Sequence, residues 1–230
     1  MPFGFYPDRT MLMLIPAILV ALWAQSKVSS TYRNYKSIRT MNGYTGEQVA
    51  RMMLDEAGLY DVPVVETRGE LSDHYDPTRR IVRLSRDVFY GTSISSAGIA
   101  AHEIGHAIQH KEHYKPLVLR TSIATGVNFA SQMSMILFIL GIFLSLPGLT
   151  TVGIIFFSAT VIYQLVTLPV EFNASSRALK VLEGRGILLG NEVDGAKKVL
   201  GAAAMTYVAA ALMSITQLLR LIALSNRNND

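Results

Sequence analysis

From Thr121 to Val170 the chain carries no Asp, Glu, Lys or Arg. Such a run of fifty residues is too long for one bilayer-spanning helix, which needs about 20, and too short for three. It reads as two helices joined by a turn, and Pro147-Gly148 near the middle supplies the turn. Two further uncharged blocks, Thr10 to Ser26 and Val199 to Leu219, each read as one more span. The first lies between Arg9 and Lys27. Asp8 offsets Arg9 and no Ala-x-Ala site precedes Lys27, so an uncleaved anchor is expected rather than a signal peptide. Its helix should run on through Ser30 to Ser37 as a polar stalk. In the last block, Ala202 to Ala204 and Ala209 to Ala211 let helices approach closely. A hydrophobic content of 50% and a mean hydropathy of +0.30 exceed what an ordinary soluble domain shows. The expected fold is a mainly α membrane protein with about four transmembrane helices.

The basic residues set the expected orientation. Of 21 Lys and Arg, thirteen lie between Lys27 and Arg120 and five between Glu171 and Lys198, with none at the hairpin tip. By the positive-inside rule these two segments face the cytoplasm, and the termini and hairpin tip face outward. The net charge of +4 is therefore topological, and no nucleic-acid partner is expected. The resulting division is an anchor at 1–26, a cytoplasmic catalytic region at 27–120 and the hairpin at 121–170. A cytoplasmic segment at 171–198 and a last transmembrane helix with its tail at 199–230 complete it.

Within the first polar segment stands Ala101-His102-Glu103-Ile104-Gly105-His106-Ala107. Histidines four apart on a helix share one face, about 6 Å apart along the axis, and both reach one metal ion. The glutamate between them points about 100° away and reaches a metal-bound water. This is the H-E-x-x-H arrangement of zinc hydrolases, with Glu103 as general base. The chain has no cysteine, so a third ligand must be His, Asp or Glu. Glu171, the first charge after the hairpin, has a fixed place relative to the membrane on the same side. Glu183, Glu192 and Asp194 read instead as part of a Gly-punctuated loop. His110 and His113 read as polar residues at a helix end, not ligands.

Around this stretch the local signals are ordinary ones. Thr45 and Gln48 form a capping box at the head of an amphipathic helix running to Leu59. Short strands are expected at Val62 to Glu66 and Arg79 to Ser85, separated by the turn Asp76-Pro77-Thr78. The arginines of the second suit an exposed sheet edge, which could hold an extended peptide by strand addition. The metal helix should start within Ser93 to Ser96 and end near His110.

Ser95-Ser96-Ala97-Gly98-Ile99-Ala100-Ala101-His102-Glu103-Ile104-Gly105-His106-Ala107-Ile108-Gln109-His110, taken with Leu168-Pro169-Val170-Glu171-Phe172-Asn173-Ala174-Ser175, resembles the bacterial membrane family of neutral zinc metallopeptidases, type 2. Asp73-His74-Tyr75-Asp76-Pro77 and Thr206-Tyr207-Val208-Ala209-Ala210 fit as well, so the resemblance spans nearly the whole chain. It is more distantly similar to the heat-shock-type and CAAX-processing membrane zinc proteases. The resemblance implies a zincin-like α+β metallopeptidase region with a short β-sheet. It makes His102, His106 and Glu171 the ligands of Zn²⁺ and Glu103 the base. The aspartate of the relatives' Glu-x-x-x-Asp motif falls on Ser175. Asn173 or Ser175 would then support a ligand histidine in its place.

The expected function is a membrane-integrated zinc metalloendopeptidase. Its partners would be the lipid bilayer and peptide or protein substrates, among them membrane or misfolded proteins, and it would act at the cytoplasmic face of the cell membrane. A donor to the oxyanion is also needed, and His74, Tyr75, Tyr207 and Arg177 are candidates among which the sequence does not choose. The alternative is a non-proteolytic scaffold or chaperone-like protein with a structural or vestigial zinc site. A structural site closes all four positions, and no fourth ligand is evident. An intramembrane protease is disfavoured because no span contains Asp. A metal transporter is disfavoured because its spans should carry ionisable residues, and here only Arg220, read as lying at a helix end, does so.

Overall fold

Thr45 Oγ1 accepts the Gln48 N–H at 3.2 Å and Gln48 Oε1 accepts the Thr45 N–H at 3.0 Å. This reciprocal pair opens helix α2 (Gly46–Glu56) in the computed structural model, which describes residues 9–227. Val49, Ala50, Met53 and Leu54 form the buried face of α2. Gly58 stops the chain beyond it with a φ of +64°, a conformation that costs glycine least. Before α2, a 3-10 turn (Arg9–Leu14) leads into α1 (Ile15–Lys36), so the expected polar stalk is helical.

Three strands follow, one more than the sequence suggests: β1 (Val64–Thr67), β2 (His74–Asp76) and β3 (Ile81–Ser85). Their order is β1-β3-β2, with β1 parallel and β2 antiparallel to β3. This corrects the reading of Arg79 to Ser85 as an exposed edge. β3 is the central strand, with Val82 and Leu84 fully buried, while Arg83 reaches Asp76 on the neighbouring strand at 3.4 Å. The edges are β1 and β2. After the short α3 (Arg86–Phe89), Ser93 Oγ accepts the Ser96 N–H at 3.1 Å and caps α4 (Ile94–Lys111), as the serine run predicts.

The uncharged stretch folds as α5 (Lys115–Phe143) and α6 (Pro147–Gly184), with the turn immediately before Pro147. Proline at a first helical position costs no backbone bond, which is why Pro147 begins α6. α6 continues through Pro169 and Glu171 to Gly184, and α7 (Asn191–Arg227) is the last helix. Two sequence expectations change here. Glu183 lies in α6, and Glu192 and Asp194 lie in the first turn of α7 instead of a loop. Arg220 is well inside α7, not at its end, and its Nε donates to Thr10 Oγ1 at 3.2 Å.

Among the described residues four helices are long and apolar enough to cross a membrane: Thr10–Lys36, Lys115–Phe143, Pro147–Gly184 and Asn191–Asn226. The chain forms two units. One holds the described residues of Met1–Ala24, Leu119–Thr167 and Thr206–Asp230. Large apolar side chains such as Leu22, Phe129, Ile155 and Phe143 are exposed on it, the last to 82%. That surface suits a lipid environment. Inside it, a Cβ on Gly153 would stand 2.7 Å from the Phe138 nitrogen, so only glycine permits this approach of α5 and α6.

The second unit, Gln25–Val118 with Leu168–Met205, holds the α2, sheet and α4 region together with the later parts of α6 and the start of α7. Its core joins Val49, Met53 and Leu54 of α2 to Val82 and Leu84 of β3, Ile104 of α4, Ala178 and Leu182 of α6 and Leu200 of α7. α4 runs through the middle of that core.

Candidate metal centre

α4 can lie in the core because most of its buried positions are small residues. Ala97, Gly98, Ala100, Ala101, Gly105 and Ala107 are all buried. Gly105 is the closest approach: a Cβ there would stand 2.6 Å from the Ala174 carbonyl oxygen of α6. That contact sets α4 against α6 with His102 and His106 on one helix and Glu171 on the other.

The result is a three-donor cluster. His102 Nε2 lies 3.3 Å and His106 Nε2 3.4 Å from Glu171 Oε2. One ligand atom from each residue falls within 4.8 Å of the others. The imidazole rings are nearly perpendicular, at 86°, with centroids 4.8 Å apart. Zinc holds N and O ligands at about 2.0–2.1 Å, so tetrahedrally arranged donors are about 3.3–3.4 Å apart. The two nitrogen-to-oxygen separations match that edge. The donor set also suits zinc, and three protein ligands leave a fourth position open. Glu171 is only 3% exposed, a costly place for a carboxylate without cations beside it. Burial opposes a charged His106 ring. The Glu171 carboxylate at its Nε2, aided by Glu103 and Gln109, outweighs burial and raises its affinity for a proton.

Glu103, also buried, is not in the cluster. Its Oε2 accepts the backbone N–H of Tyr75 at 2.9 Å. β2 pairs with β3 through its other side, so the edge of the sheet faces α4 at Tyr75. Nearby, Asp73 accepts the Ser85 N–H at 2.7 Å and its hydroxyl at 3.0 Å. Burial pushes the Asp73 carboxyl up, the Ser85 bonds restrain it, and the Glu103 charge adds to the rise.

Each histidine of the cluster has a second partner. His102 Nδ1 meets Ser175 Oγ at 3.1 Å, so serine holds the ring where the relatives' motif has aspartate. His106 Nδ1 meets Gln109 Oε1 at 3.0 Å. Gln109, fully buried, is the residue the sequence reading missed. It stands three positions beyond His106, a spacing that places it beside the ring on a helix. Asn173 supports Gln109, and Ser175 is the partner of His102.

The oxyanion candidates separate. Arg177 is engaged by Asn173 Oδ1 at 2.7 Å and by Glu112 at 2.7 Å. His74 is exposed and its Nδ1 meets the Ser72 carbonyl at 2.8 Å. Tyr207 belongs to the unit of apolar helices. Tyr75 is the one tied to Glu103, and its hydroxyl meets His110 Nδ1 at 2.8 Å. His110 is therefore occupied outside the cluster, and His113 lies in the turn after α4 at a φ of +51°.

Comparison with known proteins agrees with this geometry. Residues 10–226 match the family described as "Putative neutral zinc metallopeptidase". The chain is 51% identical over 218 residues to "Putative membrane protease YugP" of Bacillus subtilis (strain 168), covering 95% of this chain and 97% of that one. No solved structure matches. A match over nearly the whole length, on a chain whose distant segments close a His-His-Glu cluster, shows that this protein belongs to the neutral zinc metallopeptidase family.

Proposed function

We propose that the protein is a membrane-integrated zinc endopeptidase whose site is formed by His102, His106 and Glu171 as ligands and Glu103 as general base. The observation that carries the reading is the convergence of three donors, with both histidine nitrogens at zinc-like distances from the Glu171 oxygen, beside a buried carboxylate on the histidines' helix. Zinc bound there supplies a Lewis acid that polarises a carbonyl and acidifies a water. Glu103 takes a proton from the attacking water and delivers it to the amine nitrogen as the C–N bond breaks. The Tyr75 N–H on Oε2 fixes the rotation of that carboxylate. Glu171 brings a negative charge that offsets part of the cation's. The edges of the sheet are β1 and β2, not β3, and an extended peptide adding as a strand would use an edge strand, the role first read into β3.

The basic segments 27–120 and 171–198 support a cytoplasmic orientation for this chemistry, with peptide or unfolded protein chains as substrates. The scaffold reading needs a closed metal site, and the cluster among the described residues offers three ligands.

The test compares the purified protein with Glu103→Gln on an unfolded protein substrate while measuring bound zinc. Wild-type cleavage that chelation removes and zinc restores, with Glu103→Gln inert yet zinc-loaded, is the expected result. Undiminished cleavage by the variant overturns the mechanism. Zinc retained with no cleavage in either protein overturns the peptidase reading in favour of the scaffold.

A further inference from the structure

Gln109 is a neutral amide, fully buried, in the helix that carries both ligand histidines. Its Nε2 donates to the Val170 carbonyl at 2.8 Å and to Asn173 Oδ1 at 2.9 Å, and its Oε1 lies 3.0 Å from His106 Nδ1. Which end of an amide carries the nitrogen is ordinarily an assignment from the surrounding network. Here the network allows one answer. A backbone carbonyl only accepts, so the group facing Val170 must be the NH₂. Asn173 Oδ1 gives the same answer independently, because it accepts from Arg177 Nε at 2.7 Å and a guanidinium only donates. Oε1 therefore faces His106 and can only accept. The proton between them belongs to His106 Nδ1, and the lone pair of the neutral ring is left on Nε2, the atom 3.4 Å from Glu171.

We propose that Gln109 is the positioning residue that sets the tautomer of His106, and that Asn173, held by Arg177, locks Gln109 in that role. The inference rests on the reading of His102, His106 and Glu171 as a metal centre. It adds a defined order of hydrogen bonds running from Glu112 through Arg177, Asn173 and Gln109 to a ligand ring. The two histidines are supported differently. Ser175 Oγ at His102 Nδ1 can donate or accept and so leaves that ring's tautomer free, whereas Gln109 has one orientation. Partners of this kind ordinarily alter metal affinity by about 10–100-fold when removed.

The test uses the full chain in detergent. Zinc affinity is measured by competition with a chromophoric chelator for wild type, Gln109→Leu and Asn173→Leu. Thermal melting of the metal-free proteins and ¹⁵N-histidine spectra of the zinc-loaded ones accompany it. Gln109→Leu, similar in size but without polar atoms, should weaken zinc by about 10–100-fold. It should also expose the His106 Nδ1 proton to solvent exchange, while wild type keeps it protected. Asn173→Leu leaves Val170 to hold the amide and should weaken zinc in the same direction by a smaller factor. Zinc affinity unchanged in Gln109→Leu, or a His106 Nδ1 proton equally protected there, overturns the proposal. If Gln109→Leu does not fold, Asn173→Leu binding zinc as wild type does overturns it. A wild-type protein that binds no zinc removes the metal centre itself, a failure separate from that of the tautomer assignment.

Discussion

Gly105 lies one residue before His106 on the face of α4 that meets α6, and its missing Cβ lets the two helices of the cluster come together. Alanine there would gain about 1 kcal/mol of helix propensity. Its Cβ would also sit 2.6 Å from the Ala174 oxygen, a contact that a backbone atom cannot relieve by turning away. Overpacking of this kind costs about 1–3 kcal/mol and is relieved by moving the helices apart. Gly105→Ala is therefore expected to lower the melting temperature and weaken zinc binding together, in melting and zinc-titration experiments on the same preparation. A variant with wild-type zinc affinity would show that α4 and α6 need not approach this closely. Of the residues of the proposed site, His102, Glu103 and His106 are legible from spacing alone, since a helix turns residues four apart onto one face. Gln109 has a readable spacing to His106, but its role depends on Val170 and Asn173, 61 and 64 residues farther on. No local pattern announces that.

At the scale of elements, α2, α4 and the hairpin follow from local signals: the Thr45–Gln48 box, the Ser93 cap and the uncharged run broken before Pro147. β2 does not. Its three residues are too few for alternation to show, and its extended form is set by pairing with β3 and by the Tyr75 amide turned to Glu103. The continuation of α6 past the apolar run is marked by Ala174, Ala178 and Leu182, which recur every four residues and are all fully buried. The polar residues around them obscure that pattern. The part assigned to β2 makes a pair of substitutions informative. Tyr75→Phe keeps the amide on Glu103 and loses the hydroxyl's bonds to His110 and Arg80. Tyr75→Pro removes the amide at an edge position where the sheet itself needs no N–H. The proline variant should retain zinc and lose at least about tenfold in kcat, with phenylalanine well above it, as steady-state cleavage and zinc content would show. Equal rates in the two would mean that the Tyr75 N–H does not orient Glu103.

The whole molecule has a unit of apolar helices and a unit that holds the candidate site. Its proposed orientation is open to direct mapping because the chain has no cysteine of its own. Single cysteines at Leu146, in the hairpin turn, and at Tyr60, exposed to 75% after α2, report the two faces. A membrane-impermeant thiol reagent added to intact cells should label the first and spare the second until the membrane is opened. The reverse pattern would put the site outside. The central claim, however, is that α4 and α6 close on one ion with ligands 69 residues apart. Zinc bound per folded chain in Glu171→Ala, beside wild type and under the same dialysis, tests it most directly. One zinc per chain in wild type and little or none in folded Glu171→Ala is the predicted result, and full zinc content in that variant would contradict the account.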